Sequence, residues 1–166
     1  KQQRLGLHGK VFTIYKFRSM ADGAEHTGSG VYSGKGDPRV TKVGKLIRAT
    51  SIDELPQLIN IIVGDMAIVG PRPPLTYHPW PVEQYTEEQF HMFDVRPGIT
   101  GWAQVHGRNL ASWEEKFVYD VDYVDHISFA LDVKIIFMTV RCVLAREGIS
   151  AEGSATMEDF VGNRLE

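Results

Sequence analysis

The sequence predicts an α+β domain that is rich in helices, with short scattered strands and amphipathic surface helices. Apolar residues recur at helical spacing in several segments, whereas runs of β-branched and aromatic residues are short and far apart. A doubly wound α/β fold would instead alternate buried strands regularly with helices. No sequence repeat is visible. The length of 166 residues is that of one domain, so residues 1–166 are treated as a single unit.

The composition excludes several classes of protein. A formal net charge of −3 gives no case for a nucleic-acid partner. The single cysteine, Cys142, excludes both an internal disulfide and a multi-cysteine zinc site. No run of apolar residues reaches the ~18 that a membrane-spanning helix needs. A globular domain remains, with ordinary shares of charged (23%) and hydrophobic (43%) residues.

The first elements are a strand and a glycine-rich loop. β-Branched and aromatic residues predict a strand at residues 11–17, and Lys16 and Arg18 lie at its end. Glycines and small polar residues at 19–37 predict a surface loop. Within it, residues 28–35 lack both the spacing of a phosphate-binding loop and a buried strand before them, which excludes that motif.

A short cationic helix is predicted next, at residues 41–49. Its apolar residues share one face, which we expect to point inward, and its cations share another. The cationic face suits solvent, a phosphate-rich ligand or an anionic membrane surface. The apolar face carries Val43, Leu46 and Ile47, and the cationic face carries Lys42, Lys45 and Arg48.

Two adjacent carboxylates, Asp53 and Glu54, precede the central helix of the chain. Four apolar residues follow at the spacing of one helical face, which predicts that this helix is anchored in the core. Neighbouring helical positions point in different directions, so one carboxylate could attack a substrate while the other binds a metal. Alternatively, both simply cap the helix. The four apolar residues are Leu55, Leu58, Ile59 and Ile62.

The start of this helix is open to two interpretations. Ser51 and Glu54 have the spacing of a capping box. Pro56 would then lie inside the helix, where it removes a hydrogen bond, whereas with Asp53 as the cap it falls in the first turn. Both alternatives place Asp53 near the positive end of the helix dipole.

The next candidate is an arginine between prolines. Apolar residues at 66–69 predict a short strand, which runs into a Gly-Pro-Arg-Pro-Pro segment centred on Arg72. The prolines restrict the backbone on both sides, so little entropy is lost when the guanidinium binds a phosphate. A structural ion pair is the alternative.

The second half of the chain carries two further arginines. A helix is predicted at residues 86–93, followed by a Pro-Gly turn at Arg96 and a strand at 99–105. Arg108 lies on a glycine loop at the end of that strand, a position suited to ligand binding.

Two helices close the chain. Ser112 and Glu115 have capping-box spacing and predict a helix to residue 124 with an apolar inner face. Its aspartates are expected in solvent, although Asp120 could help to hold a cation. Residues 131–144 predict a long helix, apolar on most sides, that forms the hydrophobic backbone of the fold and ends at Gly148.

Together these segments resemble the bacterial sugar transferases, the monotopic polyprenyl-phosphate phosphoglycosyl transferases. The resemblance runs in order along nearly the whole chain and depends on four separate motifs. They are KFRSM at 16–20, SIDELPQ at 51–57, GDM at 64–66 with VGPRP at 69–73, and VRPGITG at 95–101 through GRN at 107–109.

The resemblance implies an enzyme that transfers a sugar 1-phosphate from a UDP-sugar to polyprenyl (undecaprenyl) phosphate and releases UMP. It implies that Asp53 is the nucleophile, which forms an aspartyl-phosphosugar intermediate, and that Glu54 with Asp53 binds Mg²⁺. It also implies phosphate contacts, which we assign to Arg72, Arg108, Lys16, Arg18 and Arg96. Cations are required there because an anionic carboxylate must approach an anionic phosphate.

The resemblance further implies a place at the cytoplasmic face of the bacterial inner membrane, in the first membrane step of glycoconjugate or exopolysaccharide synthesis. Members of the family carry an N-terminal membrane hairpin, which this sequence lacks, so the chain is interpreted as the globular catalytic part. Two alternatives remain: a metal-dependent phosphohydrolase of nucleotide-sugars, and a non-catalytic domain that binds nucleotide-sugars at the membrane surface.

Overall fold

Short strands form two separate two-stranded sheets. The structure is a computed structural model that describes residues 1–27, 36–106 and 112–145. The first sheet is an antiparallel hairpin in which Leu5 faces Val11, and the second is a parallel pair in which Val69 faces Thr100. The strands are β1 (Gln2–Leu5), β2 (Val11–Ile14), β3 (Ala67–Val69) and β4 (Gly98–Thr100).

Helices, together with short 3₁₀ turns, make up more than half of the described residues. The Thr41 hydroxyl accepts a hydrogen bond from the Gly44 amide at 2.8 Å and so caps the first helix. The predicted capping box of Ser112 and Glu115 is confirmed, with both reciprocal bonds present. Within the described ranges, none of the helices combines the length and the apolar character needed to cross a bilayer. The helices are α1 (Lys42–Ala49), α2 (Gln57–Val63), α3 (Glu87–Phe90), α4 (Trp102–His106), α5 (Trp113–Asp125) and α6 (Phe129–Ala145).

The parallel sheet depends on glycine. A Cβ at Gly70 would collide with the Arg96 carbonyl, and a Cβ at Gly98 or Gly101 would collide with the backbone of Gly70. Only glycine therefore allows the two strand ends to approach this closely. The contact holds the segment that leads directly into Arg72.

The core consists of two clusters of buried residues. One is aromatic and packs β1 against α5 and the segment before β4, whereas the other packs β3 against α5 and α6. Both clusters use α5, so this helix connects the two halves of the molecule. The first contains Leu5, Trp80, Met92, Phe93 and Phe117, and the second contains Val69, Tyr123 and Ile135.

The predicted burial of the central helix is wrong. Its four apolar residues are 48–84% exposed, and α2 is instead held by Gln57 and Asn60, which are almost fully buried. The Asn60 side chain donates to the Thr13 carbonyl and accepts from the Tyr15 amide, and so ties α2 to the end of β2. Periodicity shows that residues share a face, but not which side of the helix meets the protein.

Two further helices differ from expectation in the same way. Val43 and Leu46 of α1 are exposed, because this helix approaches the protein through Gly44, which packs against the backbone of Ser19. On α6 only Ile135 is fully buried, so this helix covers one side of the fold and is not its central support.

Two smaller predictions also need correction. The strand expected at 99–105 ends at Thr100, where its three-residue partner β3 ends, and α4 follows. The capping frames at 51–57 are both wrong: Ser51 has a left-handed backbone (φ 56°) and makes no cap bond, and α2 begins after Pro56. The predicted end of the last helix at Gly148 lies outside the described residues.

Candidate active site

The acidic pair lies on a 3₁₀ turn, Ile52–Glu54, between α1 and α2. The turn is held to the chain that continues from β2, because the Phe17 amide donates to the Asp53 carbonyl at 3.0 Å. With the bonds of Asn60 to the same strand, this places Lys16 beside the two carboxylates. Residues distant in sequence therefore meet at a site that main-chain hydrogen bonds define.

Glu54 is clamped between two cations. Its Oε1 atom accepts from Lys16 Nζ at 3.2 Å and from Arg72 Nη2 at 3.0 Å. Burial raises the pKa of Glu54, but the attraction of Arg72 and Lys16 outweighs it and lowers the pKa to about 2. Glu54 is therefore ionised throughout the physiological range.

The cations outnumber the carboxylate that pairs with them. Arg4 donates to the Pro73 carbonyl at 2.9 Å and so lies beside Arg72. Burial, and after it the charge of Arg72, lowers the pKa of Lys16 to about 8 and that of Arg4 to about 10, although Glu54 acts in the opposite direction. Three mutually repelling cations around one carboxylate form a site that favours additional anions.

Asp53 is in a different state from its neighbour. It is partly buried and forms no ion pair within the described part of the chain. Burial raises its pKa, and the charge of Lys16 opposes that rise. One carboxylate of the pair is thus held by two cations, while the other lies near cations without forming an ion pair.

These groups line one cavity of about 770 Å³, together with Lys116 and Asp120 of α5. That volume is within the usual range for ligand sites. Asp120 is only 5% exposed and its Oδ1 has no hydrogen-bond partner among the described residues. Burial raises the pKa of Asp120 to about 8, against the charges of Lys116 and Arg72. The expectation that Asp120 lies in solvent is therefore wrong.

Comparison with known proteins supports the motif resemblance. A sequence model of the family described as bacterial sugar transferase matches residues 1–146. The chain belongs to the bacterial sugar transferase family. As in other members of a family defined by sequence, the shared residues alone do not specify the substrate.

Three relatives illustrate the range of this sugar transferase family. The "Uncharacterized sugar transferase EpsL" of Bacillus subtilis is 52% identical, over 98% of this chain and 78% of the relative. The "UDP-glucose:undecaprenyl-phosphate glucose-1-phosphate transferase" of Escherichia coli is 42% identical, over 84% of this chain and 31% of the relative. An Aeromonas hydrophila protein named "UDP-N-acetylgalactosamine-undecaprenyl-phosphate N-acetylgalactosaminephosphotransferase" is 43% identical, over 89% and 35%. The chain thus spans about a third of the two relatives with substrate names.

The structure brings together some of the residues predicted for this sugar transferase and not others. Asp53, Glu54, Lys16 and Arg72 line the same cavity. Arg18 does not line it; this side chain is largely exposed and pairs with Asp22 at 3.3 Å. Arg96 is exposed, does not line it either, and approaches Gly70 through its carbonyl. Arg108 lies outside the described residues.

Two cations at the cavity, Arg4 and Lys116, were not predicted from the sequence, and Asp120 was expected in solvent. Arg4 and Lys116 had no motif to indicate them. Asp120 did have a signal, because it follows Phe117 by three residues and so shares the inner face of α5. That face was recognised from its apolar members alone.

Proposed function

We propose that this chain transfers a sugar 1-phosphate from a UDP-sugar to polyprenyl phosphate and releases UMP, with Asp53 as the nucleophile. The observation that carries the proposal is the contrast within the acidic pair: Glu54 is held by Lys16 and Arg72, whereas Asp53 lines the same cavity and forms no ion pair among the described residues. The names of the relatives from Escherichia coli and Aeromonas hydrophila support the donor and acceptor classes.

The proposed reaction has two displacement steps. A carboxylate oxygen of Asp53 attacks the β-phosphorus of the UDP-sugar, and the bond from that phosphorus to the bridging oxygen breaks, so UMP leaves with the electron pair. An oxygen of the polyprenyl phosphate then attacks the same phosphorus and the Asp53 carboxylate departs. The product is a polyprenyl diphosphate sugar, and the enzyme returns to its initial state.

The cations lower the electrostatic barrier to both steps. A carboxylate and a diphosphate repel each other, and Arg72 and Lys16 offset that repulsion at positions set before substrate binds. Glu54 neutralises only part of the positive charge of Arg72 and Lys16, because one carboxylate pairs with two cations. The acidic residue therefore orients the cations without cancelling the field that the substrate requires.

Asp53 and Glu54 suit a Mg²⁺ ion whose remaining ligands would come from the substrate. Among the described residues there is no cluster of three or more acidic, histidine or cysteine ligands. Mg²⁺ usually binds one or two carboxylates together with substrate phosphates, and Asp53 with the second oxygen of Glu54 supplies that donor set. Such an ion would neutralise the phosphate charge when bound.

We also place the chain at a membrane surface, on the cytoplasmic face of the bacterial inner membrane. The exposed residues Val43 and Leu46 of α1 alternate with Lys42 and Lys45, a combination that suits anionic lipid. Ile62 of α2 is 84% exposed. Ile62→Glu should weaken co-sedimentation with anionic vesicles, and equal sedimentation of variant and wild type would contradict this placement.

The test of the chemistry is to trap the intermediate. Incubation with a UDP-sugar and Mg²⁺, without acceptor, should release UMP and add the mass of one sugar phosphate to a peptide that contains Asp53. Asp53→Asn should abolish both signals, and Asp22→Asn, an exposed aspartate outside the cavity, should retain them. UMP release without an adduct would favour the phosphohydrolase, and donor binding with neither signal would favour the non-catalytic domain.

A further inference from the structure

The cavity has two chemically different ends. One end carries the cations and the acidic pair described above. The other is a largely apolar wall contributed by β3, β4, α4 and α6, in which the hydroxyls of Thr100 and Thr139 bond to each other at 2.6 Å. A UDP-sugar is polar over its whole length and has no use for that wall, whereas a phosphate attached to a hydrocarbon chain matches both ends. The wall consists of Ile68, Ile99, Ala103, Ile136, Val140 and Val143.

The apolar wall continues to the outside of the molecule along α6. Ile136, Val140 and Val143 follow one another at i, i+4 and i+7, so they form a single stripe that faces the cavity. Phe137 and Leu144 form the adjacent stripe and are 72% and 80% exposed. Arg141 lies between Phe137 and Leu144 in sequence and is exposed. The apolar path from the cavity to the outer surface of α6 therefore runs through Val140 to Phe137 and Leu144, beside this one arginine.

We infer that the first isoprene units of the lipid acceptor bind between α4 and α6, and that the rest of the tail leaves along the outer stripe of α6. This inference rests on the proposed function. The cavity, at about 770 Å³, is too small for a whole long-chain polyprenyl group beside a phosphate and a sugar, so the tail has to leave it. The α6 stripe supplies an apolar exit towards a bilayer.

Loss of apolar contacts at α6 should therefore raise the KM for the lipid acceptor and leave the KM for the UDP-sugar unchanged. Val140 is half-exposed, so Val140→Glu places a charge on the tail path without opening the core. The KM for undecaprenyl phosphate should rise about tenfold or more, which is the cost of losing one buried aliphatic contact. Isopentenyl phosphate has a single isoprene unit that makes few contacts with the apolar wall, so its KM should rise less. Release of UMP in the first half-reaction should continue.

The matched control is Val118→Glu. Val118 is exposed to a similar degree on α5 and does not line the cavity, so its acceptor KM should remain that of the wild type. An unchanged acceptor KM in Val140→Glu would overturn the inference, and so would a raised KM for the UDP-sugar, because the donor would then occupy the wall. Failure of the wild type to release UMP would instead contradict the proposed function.

A second measurement does not depend on turnover. A photo-crosslinking amino acid, p-benzoylphenylalanine, replaces Val140 in one variant and Val118 in another. In nanodiscs that contain undecaprenyl phosphate, the variant at 140 should form a lipid adduct that excess farnesyl phosphate displaces and UDP does not. Equal labelling at the two positions, or displacement by UDP alone, would show that the channel does not hold the tail.

Discussion

Replacing Glu54 with glutamine should show, through the pH dependence of the free energy of unfolding, how much its ion pairs with Lys16 and Arg72 stabilise the fold. The pKa of Glu54 is lowered from 4.5 to about 2 in the folded chain, and its side chain is 21% exposed. At about 1.4 kcal/mol for each pH unit, the two ion pairs contribute about 3 kcal/mol to the free energy of unfolding at neutral pH.

The sign follows from proton linkage. Because the folded pKa is depressed, the stabilisation is fully present above pH 4.5 and is lost as the pH falls through about 2. The difference in stability between wild type and Glu54→Gln should therefore be about 3 kcal/mol at pH 6 and about 1.5 kcal/mol at pH 3.

Urea unfolding followed by circular dichroism at both pH values measures this difference. Glu83→Gln is the control, since Glu83 is exposed and has no ion pair among the described residues; its effect should stay within about 0.5 kcal/mol at either pH. A Glu54→Gln difference that is the same at pH 6 and pH 3 would refute the reasoning, because it would assign the loss to packing and not to charge.

Three further outcomes are expected. Activity should fall as the pH rises through about 8, where Lys16 loses its proton, and Lys16→Arg should retain activity at pH 9; a pH–rate profile that is identical in both proteins would contradict this role. Asp120→Asn should melt at least ~3 °C above the wild type at pH 8 and at the same temperature as the wild type at pH 4. The raised pKa of Asp120 makes the wild type lose stability as the pH rises from 3.8 towards 8. A calorimetric difference in melting temperature that did not grow with pH would contradict this. Gly70→Ala should cost about 2 kcal/mol or more in urea unfolding, because its Cβ meets the Arg96 carbonyl, and a neutral effect would show that the strand ends can separate.

Local features were predictable because they depend on residues that are close in the chain. The capping box at Ser112, the Thr41-capped helix and the short strands at β2 and β3 all follow from neighbouring residues and were found approximately where they were expected. The acidic pair was also predictable as a candidate from two adjacent residues, and both of its carboxylates line the cavity. Its backbone conformation was not, because Pro56 and the left-handed Ser51 produce a 3₁₀ turn in place of a cap.

The side of each helix that meets the protein was the least predictable feature. Leu58 and Ile59 share a face as expected, yet the buried side of α2 carries Gln57 and Asn60. The amide of Asn60 bonds to the carbonyl of Thr13 on a distant strand. The same failure on α1 and α6 has the same cause. A hydrophobic stripe predicts burial only when it packs against the rest of the protein, so periodicity alone could not orient these three helices.

The sequence by itself determined the family, the acidic pair and the proline-flanked arginine, since each is a matter of which residues adjoin one another. Only the tertiary structure decided that Lys16 and Arg72 converge on one oxygen of Glu54, that Asp53 forms no ion pair among the described residues, and that the cavity runs from these charges to an apolar wall. The physical reason is that these side chains come from separate strands, turns and helices. Their approach depends on an asparagine bond between α2 and β2 and on glycines where β3 meets β4, contacts that no local pattern encodes.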